Sequence, residues 1–369
     1  MKYLLGSVLI GVLLLAHYGY AASTDKFQSI DAIAKAFFAE SRPPGLAITV
    51  AYQDKIIWSK GYGYADLEQK VKIDPGQSKF RTGSVAKPFT SFALMQLYEE
   101  GKIDLSADVR RYVKSFPKKK YPFTVRQLAA HFSGIRHYRK GEAYRREHYS
   151  RLSDAITIFA EDPLLIEPET EWRYSSYGYV LLGVVIEQAS GMAFDDYLQQ
   201  KVFMPFGMKN TVADKLSILI DNRVRYYGKN INGGKNIGNF FNEKEVDNYY
   251  KLPAGGYVGT TEDMAKFGLA VLSGRYLKGE TRAKMWEEQK TKSGKKTEYS
   301  LGWRVVTDEQ GIRWIGHGGG SIGGTTQFWL FPDHGLVLTS ASNQTELNYG
   351  RLMLDLRNWF FDHLNLTRS

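Results

Sequence analysis

From Val85 to Leu97 the chain is apolar on nearly every side of a helix: Phe89, Phe92, Ala93, Leu94, Met95 and Leu97 leave no broad face for solvent, and Gly101 supplies the stop. A helix of this kind must run through the centre of a fold. Its first turn carries Ser84, with Lys87 three residues on and on the same side. Unpaired N–H groups and the positive end of the helix dipole favour negative charge developing at Ser84. Burial disfavours the ammonium form of Lys87 and leaves an amine able to take a proton. Ser-x-x-Lys also occurs at Ser23, Ser115 and Ser293, but those lie in charged or polar stretches without apolar shelter. Context therefore selects Ser84 as nucleophile over a plain helix cap.

The remaining pattern implies an α+β fold. Apolar residues recur at helical spacing from Thr24 to Glu40, then alternate from Leu46 to Tyr52 and return from Ile56 to Tyr64 around the Gln53-Asp54 turn. From Ser84 to Gly279 the periodicity is mostly helical. Strands are predicted again at Tyr299–Val306, Ile312–His317, Thr325–Phe331 and Leu336–Ser342, followed by a helix with Leu352, Leu356, Trp359, Phe360 and His363 near one face. Strands at both ends of the chain imply one antiparallel sheet built from the N- and C-terminal segments, flanked by helices, with an inserted mostly helical lobe. The sheet lobe is expected over about 23–83 and 280–369 and the helical lobe over about 84–279, with a cleft between them. Tyr227 to Asn239, rich in Gly, Asn and Lys, reads as a mobile loop.

Lys2, the apolar run to Ala16 and the small residues ending at Ala22 form an export signal, so the 369-residue product is expected to lose about residues 1–22 and act in the periplasm. There is no cysteine and no clustered metal-ligand motif, so neither disulfide nor cofactor is expected. The net charge of +10 suits contact with cell-wall polymer or another anionic surface, as do the basic segments Arg110–Lys120 and Arg136–Arg151. Nothing in the pattern points to nucleic acid.

Acyl transfer needs a base, a proton donor for the leaving group and an oxyanion site. Tyr174 and Ser176 stand just before an apolar helix that ends at Ser190-Gly191, and a tyrosinate there would be a base near Lys87. Gly316-His317-Gly318-Gly319-Gly320-Ser321 lies on a predicted strand, where so many glycines allow close backbone approach. Gly320 is the expected second oxyanion donor. Gly319-Gly-Ser321-Ile-Gly323 also matches a nucleophile elbow, but a strand rather than a helix is predicted after it, which argues against Ser321.

In these residues the chain resembles the penicillin-recognising serine hydrolases, the group of class C β-lactamases, D-alanyl-D-alanine carboxypeptidases and β-lactamase-fold esterases. Ser84-x-x-Lys87, Tyr174-x-Ser176 and His317-x-Gly319 occur in the family order. Longer segments, among them His131 to Tyr138 and Pro253 to Thr260, are similar to the mitochondrial serine β-lactamase-like branch and its bacterial relatives. The resemblance implies an acyl-enzyme at Ser84, with Lys87 and Tyr174 sharing its proton and the Ser84 and Gly320 N–H groups as oxyanion hole. It gives His317 the task of polarising Tyr174 and orienting a substrate carboxylate, with a charge conditional on pH. Ser176 stands where asparagine is common and Gly318 where threonine is, so a peptidase of the carboxypeptidase or aminopeptidase type is expected before an esterase or a weak β-lactamase. A non-catalytic, self-assembling protein is the other class of reading, and a homo-oligomer fits either.

Overall fold

The computed structural model describes residues 27–230 and 239–368, and the expected export signal lies outside them. The chain divides into two compact units. In the smaller, helix α1 (Gln28–Ser41) packs along the last helix, α5 (Gly350–His363). Trp359 Nε1 donates to Ser29 Oγ at 2.8 Å, and the Phe37 and Tyr349 rings stack with centroids 6.1 Å apart. His363 leaves the apolar face predicted for it, accepting exposure and stacking on Trp359.

The larger unit is built on a seven-stranded antiparallel sheet. Its strands are β1 (Gly45–Tyr52), β2 (Lys55–Asp66), β3 (Val71–Lys72), β4 (Arg304–Thr307), β5 (Arg313–Ser321), β6 (Gly324–Phe331) and β7 (Leu336–Ser342), in the order β3-β2-β1-β7-β6-β5-β4. The N- and C-terminal strands meet as their alternation requires: β1 pairs with β7, with Thr49 opposite Thr339. Tyr299 to Trp303, read as strand, is instead a turn, because Gly302 adopts φ +94 and swings the Trp303 indole inward to donate to Ser91 Oγ. Strand β5 in turn runs past His317 to Ser321, so the whole glycine run is paired with β6.

Three helices place the site. Helix α2 (Ala86–Glu99) is buried from Ala86 through Met95 and again at Leu97, as its all-round apolarity demands. Helix α3 (Ser176–Ser190) ends where Gly191 takes φ +72, and α4 (Thr261–Leu272) lies on the sheet at Thr49 and Thr339. Phe89 of α2 meets Phe267 of α4 edge-on at 4.7 Å. Thr90 Oγ1 donates to the carbonyl of Pro253 in the one-turn helix Leu252–Gly255. Gly183 permits this packing: a Cβ there would lie 2.2 Å from Pro253 Cγ.

The helical lobe also contains strands that its periodicity does not reveal. Phe80–Arg81, Tyr257–Gly259 and Val212–Ala213 form a small antiparallel sheet, too short to register as alternation. Tyr227–Lys229 pairs with Phe240–Asn242, so the ends of the expected mobile loop are a hairpin, while 231–238 fall outside the described residues. The Arg136–Arg151 segment is not a free basic surface. Arg136 is buried between Glu142 and Asp162, and Arg139, Arg145, Arg146 and Arg151 each face a carboxylate.

Candidate active site

Ser84 sits in a 3-10 turn, Gly83–Val85, that runs straight into α2. Lys87 Nζ lies 3.1 Å from Ser84 Oγ, and the Tyr174 hydroxyl donates to the same oxygen at 2.7 Å. The amine also reaches Ala254 O at 2.9 Å and Ser176 Oγ at 3.4 Å. These contacts suit a neutral lysine, whose two N–H groups serve Ala254 and Ser176 while its lone pair faces the Ser84 hydroxyl. Burial holds the Lys87 ammonium well below the ordinary lysine range, helped by the positive charge of Lys251. Tyr174 moves the other way. Its part-buried phenol is pushed up to about 12 by desolvation, against hydrogen bonds from Ser84 and Ser176 that favour ionisation. The tyrosinate base envisaged from the sequence is therefore disfavoured, and of the two groups Lys87 is the one whose unprotonated form is accessible near neutrality.

The glycine run of β5 closes against the serine turn. A Cβ on Gly319 would lie 2.1 Å from Thr82 O, and one on Gly83, whose φ is +50, only 2.8 Å from Gly320 N. A Cβ on Gly320 would meet nothing within 4 Å, and one on Gly318 would make only ordinary contact with the Gln327 side chain. Gly319 thus permits the approach, and Gly320 faces open space beside Ser84. Both line, or lie next to, a cavity of about 290 Å³ bounded by Ser84, Tyr138, Tyr174, Ser176, Lys251 and Gly320.

His317 is not at that cavity. It is 4 % exposed, its ring centroid is 6.2 Å from that of Tyr174, and its nitrogens are engaged elsewhere. The Ser175 N–H donates to His131 Nδ1, which leaves the His131 proton on Nε2, facing Tyr299 Oη at 3.2 Å. Tyr299 then donates to His317 Nε2 at 3.0 Å, and His317 Nδ1–H donates to Gly318 O at 2.6 Å. This relay links the Tyr174 segment to β5 with every proton directed. It requires a neutral His317, and burial lowers that residue to about 3. The pH-conditional charge expected of His317 is absent at neutrality for that reason.

Both relay histidines are held below the ordinary value of 6.5 by burial. The unfolded chain therefore takes up their protons first on acidification. Stability is full above about pH 6.5 and falls as pH drops from there, by at most about 1.4 kcal/mol per pH unit for His317 down to about pH 3, with His131 acting in the same direction. Thermal melts over this window should track that slope, and His317→Gln should make it shallower while His131 keeps its share.

Arg81 ties the far side of the site together. It donates to Asp214 Oδ2 at 2.7 Å and to Ile322 O at 2.6 Å, and its guanidinium stacks 3.7 Å from the Tyr226 ring centroid. Ser321, the rival nucleophile, leads into β6 through a two-residue turn, and among the described residues its Oγ is buried without a hydrogen-bond partner. His131, Tyr299, Lys251 and the Ala254 carbonyl went unread in the sequence as site components. Only Lys251, a charge set beside the apolar Leu252-Pro253-Ala254, carried a signal.

The beta-lactamase family model matches residues 30–358. The human mitochondrial serine beta-lactamase-like protein LACTB is 30% identical over 387 residues, covering 79% of this chain and 69% of that protein. Among solved structures, D-amino acid amidase from Ochrobactrum anthropi SV3 superposes with a TM-score of 0.77 at 22% identity, covering 94% of this chain and 100% of the amidase. An octameric penicillin-binding protein homologue from Pyrococcus abyssi gives 0.76 at 24%, over 88% of this chain and 76% of that one. These two share its fold.

Proposed function

The chain belongs to the beta-lactamase family of serine hydrolases, and on that footing we propose that it cleaves amide or ester bonds through an acyl-enzyme at Ser84, with short peptides as its substrates. The observation that carries this reading is the placement of two proton-transfer groups, Lys87 Nζ and Tyr174 Oη, at 3.1 and 2.7 Å from one serine oxygen. Lys87 accepts the Ser84 proton as Oγ forms its bond to the substrate carbonyl carbon. The carbonyl oxygen becomes an oxyanion held by the Ser84 and Gly320 N–H groups. As the carbon–nitrogen or carbon–oxygen bond breaks, the leaving atom takes the Tyr174 proton, and the Lys87 ammonium restores the phenol. Water repeats the sequence in reverse to free Ser84. Gly319 serves by letting the strand approach, and His317 by orienting the Gly318 carbonyl through the relay.

Esterase action is the second reading, favoured by Ser176, whose single hydroxyl is already engaged by Lys87 and offers little grip on an acyl-side amide. In this proposal residues 23–369 form the exported protein and the reaction is periplasmic. Self-association is included, since the Pyrococcus abyssi homologue is described as octameric.

The test is intact-protein mass after exposure to a fluorophosphonate, with peptide mapping. One adduct on Ser84, absent from Ser84→Ala, is the expected result. Folded wild type that stays unlabelled by fluorophosphonate and by p-nitrophenyl esters would favour the non-catalytic reading, and an adduct on Ser321 would overturn the choice of nucleophile.

A further inference from the structure

Lys251 is a buried cation for which the described residues provide no anion. It ends the 3-10 turn Tyr249–Lys251, immediately before the short helix whose Ala254 carbonyl holds Lys87. Although 6 % exposed, it lines the same cavity as Ser84, Tyr174 and Gly320. Among the described residues its ammonium has neither hydrogen bond nor ion pair. Its polar surroundings are the faces of Tyr138 and Tyr250, with ring centroids 5.7 and 5.8 Å away, close to the outer limit of about 6 Å for a cation over a ring.

The carboxylate that influences it, Asp214, is already committed to Arg81, Arg223 and Asn248. A buried, unpaired charge is costly to keep. Ser321 also lines the cavity, with its Oγ buried and unpartnered among the described residues. The one acidic side chain on the wall, Glu346, is exposed and solvated. His317, to which the family resemblance gives the carboxylate contact, is sealed within the relay.

We propose that Lys251 is the anion anchor of the acyl site, and that preferred substrates carry a carboxylate close to the scissile carbonyl. This rests on the acyl-transfer reading for its meaning, but the anchor is measurable without turnover.

Two matched probes test it: p-nitrophenyl hydrogen succinate, which is anionic, and p-nitrophenyl butyrate, which is neutral. In both, Ser84 Oγ bonds to the carbonyl carbon and nitrophenolate leaves. Wild type is expected to favour the anionic ester at least tenfold in kcat/KM, Lys251→Met to lose that preference, and Lys251→Arg to retain most of it. Taking the ratio within each enzyme cancels any effect of Lys251 on Lys87. The preference in wild type should also decline as pH rises through about 8, where burial and then the charge of Arg81 set the Lys251 ammonium. That readout needs no variant. The groups facing Lys251 are Lys87, Arg81, Asp214, His137, Tyr138 and Tyr250.

In parallel, binding of monomethyl succinate to Ser84→Ala is compared with binding to Ser84→Ala/Lys251→Met by calorimetry. Equal anionic preference in wild type and Lys251→Met overturns the anchor while leaving Ser84 chemistry intact. No ester turnover, with monomethyl succinate binding that depends on Lys251, overturns the acyl-transfer reading and supports the anchor.

Discussion

Lys87→Met slows acylation of Ser84 by roughly 10²–10⁴, the range for loss of a positioned base, while the melting temperature holds or rises. Methionine has nearly the same length and fills the same apolar sleeve between α2, α3 and the Ala254 turn. Lys87 is fully buried, so the native state bears the desolvation of its amine whenever it folds. Methionine removes that term, and of the groups left short the Ser84 and Ser176 hydroxyls line the open cavity, while the Ala254 carbonyl costs about 1–3 kcal/mol. A site that is less stable with its catalytic group than without it is the usual trade between stability and activity. Burst kinetics with p-nitrophenyl butyrate and a thermal melt check both halves. An unchanged acylation rate would remove Lys87 from the mechanism.

Gly319→Ala produces the second large effect, through backbone rather than chemistry. The added carbon would overlap Thr82 O at 2.1 Å, and since that oxygen is main chain the strand or the serine turn must move. Overpacking of this kind costs about 1–3 kcal/mol. The displacement takes the Gly320 N–H away from Ser84, with a loss on the order of 10²–10³ in kcat, the effect of removing one oxyanion donor. Gly318→Ala is the control, because its Cβ would stand 3.4 Å from the Gln327 side chain and should leave both stability and rate nearly unchanged. Equal behaviour of the two variants would mean that β5 is not held against the serine turn.

The core of this site was legible because its parts are local. Ser84 and Lys87 share one helical turn, and the burial of that helix follows from Phe89 to Leu97 alone. The pairing of β1 with β7 was legible because period-2 alternation marks both ends of the chain. What the sequence concealed depends on contacts between distant segments. That His317 is buried and neutral follows from Tyr299 and His131, which stand 18 and 168 residues from their relay partners. That Lys251 is alone follows from Asp214 being taken by Arg81, a pairing across 133 residues. The two-residue strands Phe80–Arg81 and Val212–Ala213 are set by their partner Tyr257–Gly259, since two residues contain no period.

The directed relay from Ser175 to Gly318 has an evolutionary consequence. A protonated lysine at the position of His317 would only donate. The Tyr299 hydroxyl, 1 % exposed, would then have to turn its proton away from β5 towards the Tyr179 hydroxyl, because His131 already donates to it and cannot reverse while bound to the Ser175 N–H. Substitutions at residues 131, 299 and 317 are therefore coupled, because a change at any one of them alters the hydrogen bonds open to the other two.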